Sequence, residues 1–405
     1  MKRLPIMIMM LCAWGLMLQA QTPVLDSKPA AVSEVNDSIE VVMLSSEHLQ
    51  QLEMEQGDTL PEMEEELVEV KPAIKDTISM AIMLPFQTDT QKPTEAQARF
   101  VDFYTGALIA IYEAQKAGKY ITLYTYDVGK TAQGVQNVME SEKWKKVDGI
   151  IGLAYEQQVQ KALEYAVVDS TWILAPFTSN LTYEQDYNYV FQFNSTDNTH
   201  AEVFANYLSK RADSVNCVFV QPQEGEVIPS SVAALRAAVQ RYEVPTTTPT
   251  LQEILHDSLK YYLVEGSENI IVFNTEKFKN LSTVIPHLEL CCNDSNNLTL
   301  FSRYSWVKNA INVPQIYTCI FSNNGGNSSG YKRLYKRFFV MNPKSSYPRY
   351  DLLGYDMIKQ FITILSNPTK EQIEEVYDGI QSKVRYRKSF DHAGYENRMV
   401  RIIRK

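Results

Sequence analysis

The sequence predicts an α/β fold of two doubly wound parallel-sheet lobes, set behind an exported leader and an acidic linker. Three observations carry this. The 405 residues exceed what one hydrophobic core usually supports. A hydrophobic share of 45% against 21% charged is a globular balance, neither fibrous nor wholly disordered. From residue 77 onward, apolar runs of strand length alternate with stripes at helical spacing and no hairpin signals intervene, so the connections should be βαβ crossovers.

The N-terminal stretch reads as an address. Lys2 and Arg3 precede an apolar run, Leu4 to Leu18, that stops at Gln19-Ala20-Gln21. A short positive segment, about 15 apolar residues and a small residue at the cut match a signal peptide of residues 1–20. The run falls short of the roughly 20 residues of a membrane span. Cys12 lacks the small residue that normally precedes a lipidated cysteine, so no lipid anchor is expected. The mature chain is therefore expected to be exported to the periplasm and not membrane-spanning.

Residues 21–76 hold 14 acidic and 3 basic side chains, a net of −11, whereas 77–405 hold 34 of each. All of the surplus charge (net −9 for the whole chain) sits in this one stretch. With few aromatics it cannot offset its ordering entropy, and it is expected to be a disordered linker in which Ile39–Leu44 and His48–Glu55 order locally. The lack of basic excess argues against nucleic acid as a partner.

In the body, Ile78–Pro85 is long enough for a strand buried on both faces, and Phe100, Phe103, Ala107 and Ile111 mark an amphipathic helix ending at Gly118. Strand Tyr120–Val128, helix Ala132–Ser141, strand Val147–Ala154, a helical stripe from Val159 to Val167 and strand Trp172–Pro176 follow. The pattern weakens at Tyr189–Asn194 and restarts. Helices His200–Arg211, Ser231–Tyr242, Leu251–Tyr262 and Glu276–Leu290 interleave with strands Val215–Val220, Asn269–Phe273, Leu298–Arg303 and Gln315–Phe321. A basic helix (Tyr331–Phe339), an apolar one through Leu352–Leu365 and a strand-like Met399–Ile403 close the chain. Residues 77–195 with 322–372 are assigned to lobe 1, and 196–321 with 373–405 to lobe 2.

In open parallel sheets, ligands meet the carboxyl ends of the strands, where loops and helix N-termini converge. The residues predicted to reach that edge and bind a ligand are Phe86, Tyr155, Glu156, Thr178, Ser179, Arg303 and Tyr304. Tyr155 and Tyr304 place rings at strand ends, where they could stack on a sugar or a partner.

Five landmarks in the correct order carry a resemblance to a known family. They are Val147–Gly152 (with Leu153 where the family has proline), Trp172–Asn180, Phe191–Asn194, Leu298–Trp306, and Tyr347-Pro348 through Gly354-Tyr355-Asp356. Residues 77–405 thereby resemble the type 1 periplasmic binding proteins, the fold of the leucine/isoleucine/valine receptors. The closing Phe390–Asn397 is similar to versions from the Bacteroides group, often fused to peptidoglycan-binding LysM modules, none of which is found in this sequence. The resemblance implies a non-catalytic envelope protein, without cofactor or metal, whose lobes close about a hinge near Phe191–Asp197 and Ser322. A small polar ligand, an envelope protein or the peptidoglycan machinery is the implied partner. In the family's amino-acid receptors a serine holds the ligand carboxylate where Glu156 stands here, and a carboxylate facing a carboxylate is unfavourable. Thr178 and Ser179 do match the family's second set of ligand hydroxyls.

Other constellations have plainer readings. Gly326-Asn327-Ser328-Ser329-Gly330 fits G-x-S-x-G, with Asp378 and His392 downstream in hydrolase order, so an exported serine hydrolase using Ser328 is the alternative function. Against it, Asn323-Asn324-Gly325 separates strand from motif and no HGGG-like oxyanion loop is present. His287 and Cys291 share a helix face beside Cys292, but no third ligand is near in sequence. Export permits disulfides among Cys217, Cys291, Cys292 and Cys319, with three pairings open. Residues 301–350 carry eight basic side chains and no acid, which reads as a solvated face or as a docking patch for an anionic partner such as envelope glycan or the acidic linker.

Overall fold

The computed structural model describes residues 38–41, 75–88, 94–182, 187–292, 297–306, 309, 311–321, 328–343, 348–389 and 394–405. The expected leader and most of the acidic linker lie outside the described residues. The chain divides into two units, the first running to Phe193 and then from Ser322 to Glu396, the second Asn194–Phe321 with Asn397–Lys405.

The first unit is built on an eight-stranded sheet in the order β1-β3-β2-β4-β5-β6-β15-β14. Its strands are β1 (Ser38–Val41), β2 (Thr77–Leu84), β3 (Tyr120–Asp127), β4 (Gly149–Gly152), β5 (Trp172–Ala175), β6 (Val190–Gln192), β14 (Tyr386–Lys388) and β15 (Tyr395–Asn397). Strands β2 to β6 pair in parallel, as does β15 with β6, while β1 runs antiparallel along β3. Strand β1 overlaps the Ile39–Leu44 stretch expected to order locally, at Ile39–Val41. Helix α1 (Glu95–Lys116) starts at a Thr94/Gln97 capping box; α2 (Ala132–Met139) and α3 (Glu156–Asp169) follow as crossovers. The buried run of β2 explains the two-sided cover. Ala81 and Met83 face Val135 and Val159 of α2 and α3, and Phe361 of a later helix, α9 (Tyr350–Ser366), lies against Gly149 on the other face.

The second unit repeats the plan. A six-stranded sheet has the order β16-β11-β10-β9-β7-β8 and comprises β7 (Val215–Phe219), β8 (Thr246–Thr247), β9 (Glu268–Val272), β10 (Leu298–Phe301), β11 (Gln315–Cys319) and β16 (Arg401–Arg404). All pairs are parallel except β11–β16. Helices α4 (Asp197–Ser209) and α5 (Ser230–Arg241) pack on one face through Phe204, Leu208 and Leu235. The short α6 (Leu251–Leu255) and α7 (Ile285–Cys291) cover the other through Ile254 and Leu288.

Three expectations need correction. Residues 373–396 belong to the first unit rather than to lobe 2. After α8 (Ser329–Phe338), α9 and α10 (Lys370–Glu374), the chain forms β12 (Tyr377–Asp378) and β13 (Lys383–Val384) and then adds β14 and β15 to the first sheet. The ring of Tyr386, fully buried, lies 4.9 Å from that of Phe191. Helix Glu276–Leu290 is instead a 3-10 turn (Phe278–Leu281) followed by α7, because Pro286 can stand only in a first helical turn. Helix Leu251–Tyr262 breaks after Leu255, where Asp257 adopts φ +59°.

Candidate functional site

Both units have the same winding. In the first the order β3-β2-β4-β5 reverses direction between β2 and β4, and in the second β8-β7-β9-β10 reverses between β7 and β9. Helices flanking a reversal leave in opposite directions, and in open α/β sheets ligands bind outside the carboxyl ends of the two strands at such a point.

At the first unit's switch point, β4 ends with Gly152 at φ +119° and Leu153 at φ +43°, and the Leu153 N–H donates to the Met83 carbonyl at 2.7 Å. A Cβ on Gly152 would sit 2.2 Å from that carbonyl oxygen. Proline could supply neither the N–H nor the positive φ, which explains leucine where the resembled family has proline. Across the switch, Phe86 is half-buried, its ring edge-on to Tyr104 at 5.7 Å, and Gln97 Nε2 holds the Phe86 carbonyl at 3.0 Å. Tyr155 is the N-cap of α3 but gives no side-chain cap, so the first N–H groups of that helix carry none.

Glu156 does not project freely. Its Oε1 accepts the Thr182 hydroxyl at 2.6 Å and the Thr182 N–H at 3.3 Å, tying α3 to the segment after β5. That segment is held from beneath by Gln192, which is fully buried, accepts the Leu181 N–H at 2.9 Å and donates to the Ser179 carbonyl at 2.9 Å. Ser179 is exposed, whereas Thr178 is 8% exposed and its hydroxyl has no partner among the described residues. A buried hydroxyl left unsatisfied costs about 1–3 kcal/mol.

In the second unit, Arg303 after β10 forms an ion pair with Glu276 at 2.6 Å and donates to the Ser231 hydroxyl at the start of α5. Its charge is spent within the unit. Tyr304 lies near the rings of Tyr317 and Phe321, at 6.5 and 6.4 Å. Sequence reasoning missed Asn274 and Ser302. Asn274 follows β9, is 7% exposed and donates to the Val220 carbonyl at 3.0 Å, leaving its Oδ1 unpartnered. Ser302 follows β10, is 2% exposed, and its Oγ is likewise unpartnered. For Asn274 the available signal was positional, a polar residue directly after the expected strand Asn269–Phe273, whereas Ser302 was hidden inside the expected strand Leu298–Arg303, which ends at Phe301.

The hydrolase constellation does not assemble among the described residues. Ser328 is buried at the start of α8, Asp378 is exposed and pairs with Lys383 at 3.5 Å, and His392 lies outside the described residues. His287 is engaged by Asp257 at 2.8 Å. Among the described residues no group of three or more His, Cys, Asp or Glu could hold a metal. The four described cysteines, Cys217, Cys291, Cys292 and Cys319, are free thiols. Burial pushes Cys217 up to about 12 and Cys319 up to about 11, which leaves both inert. Among the described residues no helix is long and apolar enough to cross a membrane.

No protein-family model and no curated protein matches the chain. Solved structures do. A putative branched-chain amino acid ABC transporter protein from Rhodospirillum rubrum superposes with TM-score 0.57 at 12% identity, covering 81% of this chain and 96% of that one. A branched-chain amino acid periplasmic ligand-binding protein from Burkholderia xenovorans gives 0.55 at 11% identity, covering 81% and 90%. A substrate-binding protein from Desulfitobacterium hafniense, complexed with leucine, gives 0.52 at 14% identity, covering 81% and 97%. The two α/β units therefore have the type 1 periplasmic binding protein fold.

Proposed function

We propose that the chain is an exported, non-catalytic binding protein of the cell envelope, each of whose units offers its own strand-end residues to a ligand or partner. The residues are Phe86, Tyr155, Thr178 and Ser179 in the first, and Asn274, Ser302 and Tyr304 in the second. One observation carries the reading. The carboxyl strand ends of both units keep buried polar atoms without a partner among the described residues, the Thr178 hydroxyl in one and Asn274 Oδ1 and Ser302 Oγ in the other. Each costs folding energy that a bound ligand's hydrogen bonds would return.

The same geometry narrows the ligand. Glu156 stands at the N-terminus of α3, so an α-carboxylate there would meet an existing carboxylate. Arg303 is already neutralised by Glu276. A free branched-chain amino acid, such as the leucine of the Desulfitobacterium complex, is therefore disfavoured, and we favour a neutral or amine-bearing envelope component or a protein of peptidoglycan assembly.

A melting-temperature screen against free amino acids, amino sugars and soluble peptidoglycan fragments tests this. Leucine should leave the midpoint unchanged, and one of the other classes should raise it through binding to the folded state. Thr178→Val and Asn274→Leu should each weaken that ligand about tenfold. A midpoint raised by leucine, or a ligand shift in either variant as large as in the unaltered chain, contradicts the proposal.

A further inference from the structure

Helix α8 carries Lys332, Arg333, Lys336 and Arg337 on its exposed side, and none of the four has an ion pair among the described residues. The inward side is aromatic: Tyr331 and Tyr335 are buried, and the Phe338 ring lies 4.8 Å from Tyr112 of α1. Lys332 with Lys336 and Arg333 with Arg337 are like-charge pairs four residues apart, which destabilise a helix. The first two also sit in its N-terminal half, where the helix dipole disfavours cations. Local stability therefore gives no reason for this clustering. Beside the helix lies a cavity of about 300 Å³ lined by Lys332, Tyr335, Lys336, Asn342, Pro343 and Arg349. Arg349 is already paired with the fully buried Asp351, so Lys332 and Lys336 supply the cavity's uncompensated charge.

The counter-charge is close in the chain. Glu62, Glu64, Glu65, Glu66 and Glu69 cluster shortly before Lys75, with Lys71 the only basic residue in 42–74. Lys75 and Asp76 are fixed at the end of α1. The Lys75 N–H donates to Ser366 at 2.8 Å, and Asp76 pairs at 2.6 Å with Lys119, just past that helix. From Tyr112, where Phe338 packs, to the end of α1 at Lys116 is one helical turn, about 6 Å. Glu69 lies six residues before Lys75, an extended reach of about 20 Å, and Glu62 reaches about twice that.

We propose that the basic face of α8 is a docking surface for the chain's own acidic segment, residues 42–74. The segment is tethered to the same unit, so its effective concentration at the face is millimolar and it outcompetes free anions without needing high intrinsic affinity. The inference goes beyond the ligand reading and does not depend on it.

The test uses the full chain and fluorescein-labelled poly-L-glutamate as probe at about 0.1 M salt, where charges still act over about 10 Å. A full-length variant with Glu62, Glu64, Glu65, Glu66 and Glu69 each changed to Gln should bind the probe at least about tenfold more tightly than the unaltered chain. Adding Lys332→Glu and Lys336→Glu to that variant should abolish the gain, with the melting midpoint confirming that both variants fold. Equal, tight binding by the unaltered chain would overturn the proposal in favour of an external polyanion. No binding by either, or a gain that survives the charge reversals, would overturn it as well.

Discussion

Single residues set what each strand end can do. Thr178 is the clearest case, since its buried hydroxyl has no partner. Thr178→Val should stabilise the free protein by up to about 1 kcal/mol in urea unfolding while weakening ligand binding; a destabilised variant would show that the hydroxyl serves the fold instead. Asp356, fully buried in α9, accepts the N–H groups of Ile380, Gln381 and Ser382 at 2.8 Å each. Burial raises its carboxyl to about 6, against the downward pull of those donors. Because the folded value exceeds the unfolded one, the stabilisation is complete below about pH 4 and is lost as pH rises through about 6. Unfolding free energy should fall by about 3 kcal/mol between pH 4 and 8 through this group, and Asp356→Asn should remove that dependence. Residue identities were legible in sequence, but residue partners were not. Glu156 and Arg303 stood out as charged groups at strand ends, yet Thr182 and Glu276, each some 26 residues distant, occupy them.

Elements were legible where period and length agreed. The buried run of β2 and the stripe of α1 appear where the apolar spacing placed them, because a strand covered on both faces and a helix covered on one leave distinct patterns. The region 276–291 failed because its apolar residues fit a helical period that Pro286 does not allow to continue. Strands β12 to β14 were missed because two- and three-residue strands carry no period. How α1 and α9 meet was also hidden. A Cβ on Gly106 would lie 1.7 Å from the Asp351 carbonyl oxygen, and one on Gly354 would lie 1.9 Å from that of Phe103, so two glycines let the helices touch backbone to backbone. Gly→Ala in a helix interior normally stabilises by about 0.5–1 kcal/mol. At either position it should instead cost about 2 kcal/mol or more, by equilibrium unfolding.

At the scale of the molecule, the duplicated winding follows from the alternating pattern, while the last crossing, at Glu396–Asn397, does not. The C-terminal strand is secured in the second unit by Glu268, which is 3% exposed, accepts Thr299 at 3.0 Å and pairs with Arg211 at 3.0 Å and Arg404 at 2.5 Å. Burial pushes this carboxyl up, but the Arg404, Thr299 and Arg211 contacts outweigh burial and hold it below the usual range. That stability is present above the unfolded carboxylate range and is lost as pH falls through the folded value. Glu268→Gln should cost about 2 kcal/mol at pH 7, less than a fully buried pair because both arginines are partly exposed, and the difference from the unaltered chain should shrink in acid.

The most direct test of strand-end binding is a hydrogen-exchange footprint of the full chain with the ligand that the melting screen identifies. Slowed exchange should concentrate at residues 153–158 and 177–182 of the first unit and at 273–276 and 302–306 of the second. Protection that left these segments unchanged and fell elsewhere would contradict the account.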